Sequence, residues 1–132
     1  MRKANYDKFP STKLTGMLVQ GWDSIISMLK KKMDARKVLA VDLYTGVYEE
    51  EVLDAFSKEF SGRVMNVRDL MKPEKEIQTL TERFMTEDVL FGYVTNLKLE
   101  DYLDADKVAA ARKQISEAKE TIVIIGTGAA VV

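Results

Sequence analysis

A chain of 132 residues with 46% hydrophobic and 31% charged residues fits one folded domain rather than a disordered segment. Against 21 acidic residues stand 20 basic ones, and the net charge of −1 excludes a broad cationic face for nucleic acid. The sequence has no Cys and no His, which excludes disulfides, thiol nucleophiles, the usual zinc sites and Ser-His-Asp catalysis. Carboxylates, Lys, Arg, Tyr and backbone groups remain for any chemistry.

Residues 1–12 read as a polar surface arm, with Pro10 pushing Phe9 toward an extended conformation. The arm has no apolar core of a secretion signal, and no run approaches the length of a membrane span. The expectation is a cytoplasmic protein with no membrane partner. Trp22, Ile25, Ile26, Leu29 and Met33 recur at helical spacing and predict a helix over 22–33. Lys30, Lys31 and Lys32 close it, where cations complement the helix dipole.

Residues 37–43 (KVLAVDL) form a continuous apolar run, as a strand covered on both faces requires. A short loop leads to a helix over 48–60, with Val52, Leu53, Phe56 and Phe60 on one side. Gly62 suits a left-handed stop after that helix. Residues 63–67 (RVMNV) read as a second strand, which makes a strand–helix–strand unit. Pro73 fits the first turn of a helix reaching about Met85, with Ile77, Leu80, Thr81 and Phe84 inward. In 86–103 the apolar positions, among them Val89, keep no single period, and short turns with loop are expected. Asp104 caps a helix to about Lys119, with Val108, Ala111, Ile115 and Ala118 inward. Residues 121–125 (TIVII) are a third strand.

The elements predict a three-layer α/β/α domain with a mostly parallel sheet and P-loop-kinase-like or Rossmann-like topology. The apolar end, Ala129 to Val132, either packs into the sheet or marks the chain as the N-terminal part of a longer protein, and the second is preferred.

Four places are candidates for a site. In parallel sheets ligands bind beyond the carboxyl ends of the strands, where helix N-termini attract anions. Asp42, Tyr44 and Gly46 lie at the first such junction. Its layout is that of a phosphate-binding loop, but Gly46 is its sole glycine, and Glu49, Glu50 and Glu51 stand where Lys and Ser/Thr belong. The three glutamates also suit a helix N-terminus. Asp42 could serve a hydroxyl, a metal or a neighbouring amide. Arg68 and Asp69 follow the second strand, where they would hold an anion or form an internal ion pair. Gly126, Thr127, Gly128 and Ala129 are reminiscent of a dinucleotide fingerprint, with no chain left to build its helix. The stretch 93–102, with Asn96, Asp101 and nearby Arg83, Glu87 and Asp88, is either a substrate loop or a plain connection.

The strings NYDKFPS (5–11), DLYTGVYEEE (42–51), NVRDL (66–70) and ERFMTEDVLFGY (82–93) resemble the N-terminal extension of long-form mannose-6-phosphate isomerase-like proteins. In those proteins a uridine-kinase-like domain precedes a metal-dependent isomerase domain. The resemblance implies a degenerate kinase-like domain that acts in binding, regulation or assembly. It implies no catalytic residue, no metal ligand and no cofactor in this chain, since the isomerase metal belongs to the absent domain. Asp42, Tyr44, Gly46, Arg68 and Asp69 are the positions carried forward as ligand-facing. The implied partners are the isomerase domain, a sugar phosphate or nucleotide, and a second copy of the chain. One alternative is an active kinase that uses Asp42 and Asp69 around a metal. Another is a structural module with an exposed apolar surface at Ala129 to Val132.

Overall fold

The computed structural model describes residues 9–13, 15–33, 38–88 and 90–132. Most of the N-terminal arm, Lys37 and Val89 lie outside the described residues. The helices are α1 (Trp22–Lys32), α2 (Glu49–Glu59), α3 (Glu74–Glu82) and α4 (Ala105–Glu117). The strands are β1 (Val38–Asp42), β2 (Arg63–Asn66) and β3 (Ile122–Gly126). Three 3-10 turns, Val67–Leu70, Leu99–Tyr102 and Ala129–Val131, complete the described elements.

The sheet is parallel throughout, in the order β1-β3-β2. Val41 pairs with Ile125 on one side of β3, and Val64 pairs with Val123 on the other. The strand–helix–strand unit expected from β1, α2 and β2 therefore opens to receive β3 between its strands. The chain runs from β1 past β3 to β2 and then returns. Crossovers of one hand that travel in opposite directions place their helices on opposite faces. Val52 and Phe56 of α2 pack on Val123 and Ile125, with Leu29 of α1 against them. Val108 and Ala111 of α4 pack on Ile122 and Ile124 of the other face.

β3, not β1, is the strand covered on both faces: every residue of β3 is buried. β1 is an edge strand. Leu39 and Val41 join the α2 cluster, whereas Val38 remains 41% exposed and Ala40 is exposed. The α4 cluster takes no β1 residue among those described, and Val38, Ala40 and Asp42 on the second face of β1 are exposed.

The predicted helices start and stop within a few residues of their observed ends, for identifiable reasons. Trp22 meets Phe56 edge-to-face with centroids 6.3 Å apart, and Phe56 stacks on Phe60 at 5.4 Å. Lys30 closes α1 with an ion pair to Glu59 at 3.3 Å and sits over the Phe60 ring. Asp104 caps α4, its Oδ1 accepting from the amides of Asp106 at 3.0 Å and Lys107 at 3.1 Å. α3 ends at Glu82, short of Met85, and buries no residue fully.

Gly62 is not a left-handed stop, because α2 ends with Phe60 in extended conformation and Gly62 has no positive φ. A Cβ there would lie 1.9 Å from the Thr121 carbonyl oxygen, which accepts the Arg63 amide at 2.9 Å. Glycine is required by close approach to the chain entering β3. The apolar end of the chain packs inward. Ala129 is buried in the α4 cluster, Val131 and Val132 pack against it, and Arg112 donates to the carbonyls of Val131 and Val132 at 2.8 and 3.0 Å. The exposed apolar surface expected at Ala129 to Val132 is thus largely covered, with Ala130 exposed.

Phe56, 2% exposed, holds α1 and α2 on the sheet. Phe56→Ala is expected to cost about 3–5 kcal/mol in denaturant unfolding, and Asp104→Ala about 1 kcal/mol through the lost cap. A reversed ranking would contradict this packing.

Candidate functional site

The carboxyl end of β3 and the segment after β2 open on a crevice of about 410 Å³. Glu49 lines it from the first residue of α2, and Val67, Arg68 and Met71 line it from the segment after β2. Gly126 and Thr127 contribute the end of β3, and Leu99, Tyr102 and Leu103 form the remaining wall. That wall is tied in place by backbone hydrogen bonds. Lys72 donates to the Tyr102 carbonyl at 3.0 Å and Asp104 to that of Leu70 at 2.9 Å, around the antiparallel bridge of Met71 and Leu103.

Among the described residues, the crevice has one acid–base pair. Arg68 Nη2 lies 3.4 Å from Glu49 Oε2, with side chains 66% and 20% exposed. Glu49 Oε1 is buried, and no donor among the described residues reaches it. A buried acceptor left in this state costs on the order of 1–3 kcal/mol. The pair is set by position: Glu49 opens the helix after β1, and Arg68 sits in the turn after β2. Asn66 fixes that turn by accepting the Arg68 amide at 2.8 Å.

The positions singled out from the sequence separate in space. Asp42 serves the neighbouring amide, since its Oδ1 accepts the Gly128 N–H at 3.0 Å. The Thr127 hydroxyl donates to the Leu43 carbonyl at 3.0 Å, so the ends of β1 and β3 are stitched together. Tyr44 is 86% exposed and begins a turn closed by the Val47 amide, in which Gly46 takes a φ of 92°. Arg68 lines the crevice, but Asp69 lines another of about 310 Å³ between β2 and α4, beside Arg63 and Lys107. Asp42 lines neither of these two crevices. Among the described residues, no group of three Asp or Glu side chains is placed to hold a metal ion.

Gly126 has a φ of 138°, and a Cβ there would lie 2.7 Å from that of Val67. Its glycine is needed where β3 passes the turn after β2. The Gly128 amide is committed to Asp42, and a 3-10 turn of 3 residues follows. Of the stretch 93–102, Leu99 and Tyr102 reach the crevice, whereas Tyr93 and Val94 are exposed outside it.

Residues 21–132 match the model of the family described as a domain of unknown function, DUF8485. The chain belongs to that family. No curated protein and no solved structure matches it.

In this DUF8485 chain, sequence reasoning offered Arg68 either to an anion or to an internal ion pair, and read Glu49 as a stand-in for a phosphate-binding residue or a complement to the helix dipole, without pairing the two. The signal that could have found it is topological: opposite charges at the ends of two strands that flank a third. Asp42→Ala is expected to lower stability by about 1–2 kcal/mol, with a smaller loss for Asp42→Asn, which keeps an acceptor for Gly128. Chemical denaturation of the two variants checks this, and equal losses would contradict it.

Proposed function

We propose that this domain is a binding module that has given up phosphoryl transfer. The observation that carries the reading is the Glu49–Arg68 pair. At the start of α2, where backbone amides and the helix dipole favour an anion, the chain supplies its own carboxylate. Among the described residues, the one cation lining the crevice, Arg68, already faces that carboxylate. A triphosphate would meet Glu49, Glu50 and Glu51 with no lysine at the helix start.

The pair agrees with a degenerate kinase-like domain; the cytoplasmic, mannose-6-phosphate isomerase-like parent and its isomerase domain as partner are proposed from the sequence resemblance alone. The central place of β3 departs from the 3-2-1 order of a dinucleotide-binding half, which favours the kinase-like over the Rossmann-like reading. A second reading, an interaction module, is favoured by the exposed Leu90, Phe91, Tyr93 and Val94.

The test is a titration with Mg-ATP, followed by melting temperature and by ADP release. A ligand that binds only the folded state raises the melting temperature with concentration. The expected result is no rise and no turnover. A concentration-dependent rise with ADP release would overturn the reading and restore an active kinase.

A further inference from the structure

α3 contributes no residue to either buried cluster, and its Ile77 and Leu80, with Phe84 just after it, are half-buried. Met85, Leu90, Phe91, Tyr93 and Val94 follow within ten residues, each at least 71% exposed. Single surface apolar residues are ordinary, but five in one short segment form a patch of the kind that marks an interaction site. The segment is closed on itself. Asp88 Oδ1 accepts the amides of Leu90 at 2.8 Å and Phe91 at 3.1 Å, and the Thr86 hydroxyl donates to the Phe91 carbonyl. The Tyr93 amide donates to the Phe84 carbonyl at 2.9 Å, and a Cβ on Gly92 would lie 2.5 Å from that oxygen. Polar groups fold the loop, and its apolar side chains are left to solvent.

α3 itself carries an open groove of about 690 Å³, lined by Pro73, Lys75, Glu76, Thr79, Leu80 and Arg83. Its lining is mostly apolar, and its charged residues leave one positive charge in excess. The loop carries Glu87 and Asp88. Among the described residues the ion pairs are Lys30–Glu59 and Arg68–Glu49, so Lys75, Arg83, Glu87 and Asp88 take no partner of opposite sign within the chain. The groove offers apolar surface with positive charge, and the loop offers apolar side chains with negative charge. Each complements the other, yet the chain does not join them itself, since Leu90 and Phe91 stay exposed and the groove stays open. An anionic membrane would be repelled by Glu87 and Asp88.

We propose that two copies of this chain associate through this segment. Leu90 and Phe91 of each copy enter the α3 groove of the other, and Glu87 and Asp88 face Lys75 and Arg83 across the contact. Such an exchange about a two-fold axis uses the same patch on both copies and closes after two. It rests on the interaction-module reading and names a second copy as the partner.

Sedimentation equilibrium of the whole chain, in a concentration series to about 1 mM, tests this. The expected result is a monomer–dimer equilibrium. Phe91→Ser, at an exposed position, is expected to weaken the dimer by about tenfold or more. Arg83→Glu and Glu87→Lys each set like charges across both contacts and are expected to stay monomeric. Mixed in equal amounts, these two variants are expected to pair again, because the reversed loop meets the reversed groove and the unaltered loop the unaltered groove. A monomer throughout the series, or a dimer that Phe91→Ser leaves unchanged, overturns the proposal. A dimer that Phe91→Ser weakens but that the mixture does not restore overturns the loop-in-groove pairing and leaves the interaction reading standing, so the two failures are distinguishable.

Discussion

β3 is hydrogen-bonded along both edges and covered on both faces, and the rest of the domain is arranged around that constraint. A strand buried on both sides must be apolar at every position, and Ile122, Val123, Ile124 and Ile125 meet that demand. Alternate residues then recruit opposite layers. Val123 and Ile125 gather α2 and α1, and Ile122 and Ile124 gather α4. The glycines next to this strand serve it as well. Gly62 lets the chain entering β2 approach Thr121, and Gly126 lets the end of β3 pass Val67.

The crevice follows from the same arrangement. Because β3 ends between β1 and β2, the loops that leave all three strands converge on its carboxyl end. The end of β1 is joined to the β3 loop by Asp42 with Gly128 and by Thr127 with Leu43. The segment after β2 is held against the approach to α4 by the pairing of Met71 with Leu103. Among the described residues, two charged groups line the opening, Glu49 and Arg68, and they face each other. An exposed ion pair contributes little to stability in general. Here one partner is mostly buried, and under the proposed reading the pair would act on ligand charge more than on stability.

Much of this architecture was legible in the sequence. The apolar run at β3, the stripes of α1, α2 and α4, and the Asp104 cap depend on local pattern, and local pattern survives folding. Strand order does not. KVLAVDL and TIVII look alike as strings, and only the return of the chain between β1 and β2 makes β3 central and β1 an edge. Gly62 was expected to end a helix, since close approach to Thr121 has no local signature. Asp42 and Arg68 both sit at strand ends, where ligands are expected, yet tertiary contacts give Asp42 to the Gly128 amide and Arg68 to Glu49. The role of Glu49 was hidden because an acidic first turn is ordinary, and the partner that gives it meaning lies in the turn after β2.

Under the proposed reading, Glu49 occupies the place an anion would take at the start of α2. Calorimetric titration of the unaltered protein and of Glu49→Gln with pyrophosphate tests it most directly. Binding is expected for Glu49→Gln, where Arg68 and the helix terminus are released, and none for the unaltered protein. Equal binding by both, or by neither, would contradict it.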